Sequence, residues 1–376
     1  MRKMTINGLI SFCKRSYVTN NKAQKISIIG GSGFIGKYVA KAFVQDPTTL
    51  IQLTMRNPKT IEDLRSLGTQ ILSPISGDIT SRSDVLEACK GADVIINLVG
   101  IMHEHPPKYT FENVQHQGAR NVAFAAEAYN AHLIHISAIG ADPNSEIPYA
   151  KTKGLGEIAV RELHPKATII RPSIVFGPED DFFNRFVKLS KVLPIMPVFG
   201  GGKTKFQPVY VWDLAMAIRN ISKNRQKFEE KIFEIGGPTV YTYKEILKLT
   251  LNQAEIKRPI ISIPWSISNI QGFFLEKLPP NLFTITRDQI KLLKKDNIVS
   301  DDPHILKLSD LEINPTPAEK ILYTYLKKHD IVTPNKRTHR PFSQPIDEEI
   351  KEIKKIRKEI PKHALKKEAE HQNTNR

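Results

Sequence analysis

Short apolar runs alternate along this chain with stretches whose apolar residues recur at helical spacing. Lys25 to Ile29 is a β-rich run that ends in glycines. Ile35, Val39, Ala42 and Phe43 then mark one face of a helix that Pro47 ends. The same reading predicts strands at Ile51–Met55, Ile71–Ile75, Val94–Val99, Leu133–Ile136 and Thr168–Ile170. Helices are predicted over Ile61–Leu67, from a Ser81/Asp84 capping box through Cys89, near 111–129 and over 149–163. Val94–Val99 is almost unbroken apolar sequence, as a strand covered on both faces requires. Strands and helices alternating at this length predict an α/β fold built on a doubly wound parallel sheet, a Rossmann architecture with right-handed crossovers.

After about residue 176 the pattern loosens. Pro178, Pro194, Pro197, Pro208, Pro259, Pro264, Pro279 and Pro280 interrupt it. A smaller C-terminal lobe is expected over 176–335, with late returns to the sheet at Phe206–Val211 and Ile232–Ile235. The uncharged stretch from Pro259 to Leu275 is too interrupted to span a membrane and is expected to be a partly buried helix; its alternative is contact with a membrane surface or an apolar partner. Asp213, before Leu214, is expected to be a helix N-cap.

Composition narrows the class. Of 376 residues, 40% are hydrophobic and 25% charged, which excludes disordered and collagen-like chains. Two cysteines, Cys13 and Cys89, cannot make a disulfide framework, and no Cys/His cluster has zinc spacing, so no metal site is expected.

Of the formal charge of +16, +10 sits at the two ends and +6 on the body between them. Residues 1–24 hold Arg2, Lys3, Lys14, Arg15 and Lys22 with no acid, beside Ile6, Leu9, Ile10 and Phe12. A basic, acid-free, amphipathic start resembles a mitochondrial targeting peptide, and Arg15-Ser16-Tyr17 before Val18 resembles a matrix-protease site. Residues 336–376 add another +5 and form a charged amphipathic tail. There Ile346, Ile350, Ile353, Ile356 and Ile360 give a narrow apolar stripe before Pro361, a candidate docking helix. The folded body lacks a basic, aromatic-bearing patch, which argues against a nucleic-acid partner.

The candidate chemistry lies at the ends of the predicted strands. Gly30-x-x-Gly33-x-x-Gly36 stands between strand and helix, where glycine permits a tight turn and close approach of a pyrophosphate. The helix N-terminus behind it offers unpaired amides and a positive dipole end. Arg56 stands 20 residues after Gly36, where an acid would favour NAD; a guanidinium there suits the 2′-phosphate of NADP(H). Asp78 suits an adenine contact, and Asn97 to Gly100 would line the next crossover. Tyr149-x-x-x-Lys153 puts a phenol and an ammonium on one helix face, and the ammonium is expected to lower the phenol pKa. Ser137 could hydrogen-bond a substrate carbonyl, and Asn113 could hold a proton-relay water.

With the glycine loop, Asp78, Asn113, Ser137, Tyr149 and Lys153, the chain resembles an extended or atypical short-chain dehydrogenase/reductase. The stretches SIIGGSGFIGKYVA, NLVGIM, HISAIGAD, YAKTKGLGE, IIRPSIVFGPEDDFFNRF and FQPVYVWDLAMAI resemble the nucleotide-binding accessory subunit of mitochondrial NADH:ubiquinone oxidoreductase (respiratory complex I), the alpha subcomplex subunit 9 family. The resemblance spans roughly residues 25–330. It implies a mitochondrial protein on the matrix side of the inner membrane, partnered by other complex I subunits, with a fixed NADP(H) that serves assembly and stability rather than turnover. Carried over by position, the cofactor residues are Gly30, Ser32, Gly33, Phe34, Ile35, Gly36, Arg56, Asp78, Lys153 and Arg171-Pro172-Ser173. The rival expectation is an active NADP-dependent reductase, dehydratase or epimerase of the matrix.

Overall fold

The computed structural model describes residues 23–57, 68–265 and 291–327. The predicted helix Ile61–Leu67, nearly all of the targeting segment and the whole 336–376 tail lie outside them. The centre is a seven-stranded sheet in the order β11-β6-β5-β4-β1-β2-β3, every neighbouring pair parallel. Its strands are β1 (Gln24–Ile29), β2 (Thr49–Met55), β3 (Ile75–Ser76), β4 (Val94–Asn97), β5 (His132–Ile136), β6 (Thr168–Pro172) and β11 (Ile232–Ile235). The chain winds outward from β1 in one direction through β2 and β3, then returns to begin again at β4. Loops after β1 and β4 therefore diverge and leave a crevice between them.

Both faces of the sheet are covered, because alternate residues of the central strands are apolar on both sides. On one face Ile26, Ile28, Leu53, Ile96 and Ile134 pack against α1 (Phe34–Val44) and α6 (Val211–Lys223). On the other, Ile29, Ile95 and Leu133 meet α2 (Arg82–Cys89), α3 (Gly118–Tyr129) and α4 (Pro148–Leu163). The lobe has its own core, in which Phe176, Phe183, Phe206, Tyr243, Leu247 and Leu322 pack together. Its elements are β7 (Val175–Phe176), α5 (Phe183–Val192), β8 (Met196–Phe199), β9 (Lys205–Phe206), β10 (Val209–Tyr210), β12 (Tyr241–Thr242), α8 (Tyr243–Gln253), β13 (Ile260–Ile263) and α9 (Ala318–Leu326), while the short α7 (Arg225–Phe228) packs Phe228 into the core of the sheet. No helix among the described residues is long and apolar enough to cross a membrane.

Several boundaries differ from the sequence reading, each for a local reason. The strand expected over Ile71–Ile75 is reduced to a single bridge at Ile71 and the two residues of β3, because Pro74 has no N–H to give the ladder. Val94–Val99 leaves the ladder after Asn97, whose Oδ1 takes the Val99 N–H at 3.1 Å. The helix expected from 111 opens with a π-helical stretch, Glu112–Gln117. Phe206–Val211 does not return to the main sheet. Pro208 divides it into β9, which pairs with β12, and β10, which pairs with β7, and Val211 already begins α6. Ile232–Ile235 does join the sheet beside β6. The stretch from Pro259 opens as strand rather than helix: β13 pairs with β8, and residues 266–275 lie outside the described ones. Asp213 is not the N-cap of α6. That residue is Tyr210, and Asp213 sits one turn in, accepting the N–H and hydroxyl of Thr316 at 2.6 and 3.0 Å. The Ser81/Asp84 box is half formed: Ser81 Oγ accepts the Asp84 N–H, but the Asp84 carboxylate takes the Ser81 hydroxyl and the Asp78 N–H.

Candidate nucleotide-binding and catalytic site

The strand-end candidates close or follow parallel strands and so gather along one edge of the sheet, with Arg171 and Pro172 the last two residues of β6. The glycine loop follows β1, Arg56 follows β2, Asp78 follows β3, Gly100 follows β4, Ser137 follows β5 and Ser173 follows β6; Asn97 is itself the last residue of β4. Tyr149 and Lys153 enter from the first turns of α4, which Pro148 opens.

The glycine loop is held by hydrogen bonds from the Gly30 and Gly31 amides to the Thr54 carbonyl at 3.0 and 3.3 Å, and from Gly33 to Gly30 at 3.1 Å. Gly30 has φ +89°, which an L side chain rarely adopts. At Gly36 the reason is space: a Cβ would lie 2.5 Å from the Gly30 carbonyl oxygen. The N-cap of α1 is Gly33, so no side chain satisfies the first-turn amides, and no acid occupies that turn. This leaves a bare, positive helix end facing the loop. Ser32, Phe34 and Ile35 are half-buried there, while Gly33 is exposed.

Arg56 is exposed at the end of β2, its guanidinium 4.7 Å from the centre of the Tyr109 ring. The Asp78 carboxylate accepts the Thr80 N–H and hydroxyl, the Tyr109 hydroxyl at 2.8 Å and the Lys108 ammonium at 2.7 Å. Burial works to raise its pKa, but these donors, Lys108 foremost, hold the carboxyl well below its usual range. Asn97 is buried and bonded through Nδ2 to His135 Nδ1 at 3.1 Å.

Lys153 is buried. Its Nζ donates to the Ile136 carbonyl at 3.1 Å and lies 3.3 Å from where a Cβ on Gly100 would be. Burial pushes its pKa down to about 8, against the pull of Glu157. Burial likewise pushes the Tyr149 phenol up to about 12, and the ring sits edge-on to Phe111 at 5.9 Å. The expected lowering of the phenol by Lys153 is therefore absent: desolvation decides, and the ammonium is spent on a backbone carbonyl. Ser137 is buried with its hydroxyl unpartnered among the described residues, the state of a group waiting for a ligand atom or water.

Three candidates are committed elsewhere. Asn113 Nδ2 donates to the carbonyls of Pro107 and Lys108, so it pins that loop rather than a water. Arg171, carried over as a cofactor residue, is bidentate on Glu157, at 2.9 and 2.6 Å, and reaches Glu234 at 3.6 Å, which makes it a brace between α4, β6 and β11. Ser173 Oγ bonds the carbonyl and side-chain oxygens of Asn297; Pro172, which ends β6, has no side-chain donor to offer. The residues that sequence reasoning missed are Lys108, Tyr109, His135, Glu157, Glu234 and Asn297. Glu157 had a signal: it stands four residues after Lys153 on the same helix face. Asn297 had none, being paired across 124 residues.

Residues 26–236 match the model of the NAD dependent epimerase/dehydratase family. The chain belongs to this family. It is also 29% identical over 303 residues to the mitochondrial NADH dehydrogenase [ubiquinone] 1 alpha subcomplex subunit 9 of Arabidopsis thaliana, covering 77% of this chain and 74% of that one. To the mitochondrial NADH-ubiquinone oxidoreductase 40 kDa subunit of Neurospora crassa it is 28% identical, over 81% of this chain and 79% of that one. Among solved structures, the dTDP-glucose 4,6-dehydratase of Streptomyces venezuelae, crystallised with NAD, shares the fold: TM-score 0.62 at 16% identity, covering 81% of this chain and 96% of that one.

Proposed function

We propose that this chain is an accessory subunit of mitochondrial NADH:ubiquinone oxidoreductase and holds NADP(H) as a fixed ligand that serves assembly and stability. The observation that carries the reading is the similarity to subunits of that name over about three quarters of both chains. A dinucleotide fits the residues present. The bare amides of the α1 N-terminus and Gly30, Gly33 and Gly36 suit a pyrophosphate, and Arg56 suits the adenosine 2′-phosphate. The orphaned Ser137 hydroxyl, Tyr149, Lys153 and Gly100 border the place for the nicotinamide riboside. When bound, the nucleotide supplies a hydride donor or acceptor.

On this reading the basic start directs the protein to mitochondria, on the matrix side of the inner membrane. The 346–360 stripe docks on a neighbouring subunit, and the 259–275 stretch meets the membrane surface. The test is co-migration with the intact complex on native gels, with the nucleotide released from the purified protein identified by mass. Arg56→Asp should lose NADP(H) and impair assembly, and deletion of 341–376 should weaken co-migration while leaving the nucleotide in place. A protein that migrates alone, or releases only NAD, overturns the reading.

The retained Ser137, Tyr149 and Lys153 favour a second reading, an active NADP-dependent reductase, dehydratase or epimerase. Measurable NADPH turnover that Tyr149→Phe abolishes without loosening the nucleotide would replace the first reading with this one.

A further inference from the structure

The segment between β4 and the π-helical turn crosses to the ends of β2 and β3. It is fastened there by contacts that the glycine-loop chemistry does not require. His105 and Tyr109 exchange backbone hydrogen bonds at 2.7 and 3.1 Å, closing a tight loop around Pro106 and Pro107, and Asn113 Nδ2 grips the Pro107 and Lys108 carbonyls. The loop thus presents Lys108 and Tyr109 in one fixed place. Tyr109 is the hub. Its hydroxyl donates to Asp78 Oδ2, Arg56 lies 4.7 Å from its ring centre, and Lys108 Nζ lies 5.4 Å from the same centre. Two cations therefore share one aromatic ring at the strand ends where the adenosine end of a dinucleotide belongs.

The charge arithmetic gives this grouping a purpose. Asp78 is an anion beside Arg56, and a dianionic 2′-phosphate placed on Arg56 alone would also face that carboxylate. Lys108 lies 2.7 Å from Asp78 Oδ2, is more than half exposed, and cancels the carboxylate's charge while its exposed ammonium can still turn an N–H outward. We propose that Lys108, held by Tyr109, is a second specificity-determining residue of the nucleotide site: with Arg56 it forms a two-cation clasp on the adenosine 2′-phosphate and so selects NADP(H) over NAD(H). This rests on the NADP(H) reading above and deepens it. A structural role for the Lys108–Asp78 pair, fastening the loop whatever the ligand, predicts a different outcome.

The experiment uses the full-length protein and the probes 2′,5′-ADP and 5′-AMP, which differ only in the 2′-phosphate, with NADPH and NADH as the complete pair; affinities are read by calorimetry and by thermal shift. Wild-type protein should bind 2′,5′-ADP well above 5′-AMP. Lys108→Gln should weaken 2′,5′-ADP and NADPH roughly three- to tenfold, as loss of one charge-assisted contact at a solvent-exposed site would, and leave 5′-AMP and NADH unchanged. Lys108→Arg should restore the preference, and raised salt should erode it in wild type more than in Lys108→Gln. Equal loss for all four ligands would mean that the lysine only fastens the loop, and would overturn the proposal. Unchanged preference in Lys108→Gln, with preference intact in wild type, would overturn it while sparing the NADP(H) reading. Wild-type protein without any preference would sink the NADP(H) reading and this inference with it.

Discussion

Gly33 and Gly36 lie on the same loop but have different physical reasons to be glycine, so alanine at each should fail differently. At Gly36, in the first turn of α1, the helix itself would gain roughly 1 kcal/mol from alanine. Against this, the new Cβ would stand 2.5 Å from the Gly30 carbonyl oxygen and 2.8 Å from two Gly31 backbone atoms. Those distances are well inside the roughly 3.5 Å at which non-bonded carbons rest. The obstacles are backbone atoms, anchored by the Thr54 carbonyl, and cannot swing aside as a side chain would. Overpacking costs about 1–3 kcal/mol, and three backbone contacts this short belong in its upper half, so Gly36→Ala should be destabilising by about 1–2 kcal/mol after the helical gain. That corresponds to a Tm lower by about 2–4 °C without nucleotide. At Gly33 the Cβ would meet only the Gly30 carbonyl, at 3.3 Å, and φ is −71°, which alanine accepts. Gly33→Ala should lower the nucleotide-free Tm very little, yet its methyl would stand on the exposed rim over the first-turn amides. A saturating ligand at a hundred times its Kd adds about 2.7 kcal/mol, and that NADPH-induced rise in Tm should be largely lost in Gly33→Ala. The assay is thermal unfolding of both variants with and without NADPH. A wild-type Tm for Gly36→Ala would refute the packing argument, and a full NADPH-induced rise for Gly33→Ala would refute the placing of the pyrophosphate on these amides.

Arg171→Met should strand Glu157, whose side chain is 8% exposed, and lower stability by about 3 kcal/mol, read by urea unfolding; a near-neutral result would mean that the carboxylate finds another partner. Tyr149→Phe keeps the ring and its edge-on contact with Phe111, so fold and co-migration with the complex should be unchanged if the subunit does not turn over; loss of an NADPH-dependent reaction alone would contradict this. Lys153 has a folded pKa of about 8 against an ordinary 10.5, so between those values the unfolded chain binds more protons and stability should rise with pH, by on the order of 3 kcal/mol in full. Lys153→Met should flatten that rise, and an unchanged slope in the variant would show that another group causes it.

The glycine loop, the buried strands and the order of βα units were legible because each is a local pattern: glycine spacing, apolar runs and helical periodicity lie within a few residues of one another. Boundaries went wrong where one residue vetoed a pattern that its neighbours continued, as Pro74 and Pro208 did to predicted strands. The candidate residues fall along one edge of the sheet, since a parallel strand's end is fixed by its sequence. What each side chain bonds was not legible, because its partner comes from a distant segment. Arg171 is carried over as a cofactor residue, but Glu234 arrives on β11, 63 residues later, to share it with Glu157. Tyr109 and Lys108 carry no motif at all; only the crossing of their loop to Asp78 and Arg56 gives them meaning.

The same distinction bears on what Tyr149 and Lys153 are for. Their spacing reads as a primed proton donor, and spacing alone cannot say otherwise. In the fold the two are desolvated in opposite senses: the phenol is pushed up to about 12 and the ammonium down to about 8. A charge on either is disfavoured, so without nucleotide the pair rests as a neutral phenol beside a lysine that gives up its proton readily. A protein that must move a proton at neutral pH gains from a phenol pKa near that pH, and no cation among the described residues brings the Tyr149 phenol there: the Lys153 ammonium faces the Ile136 carbonyl, and Asn113 is tied to the 107–108 backbone. The same groups remain good donors of hydrogen bonds, with the Ser137 hydroxyl unpaired among them. An arrangement of hydrogen-bond donors able to hold a nucleoside in place is what the proposed fixed ligand asks of its site.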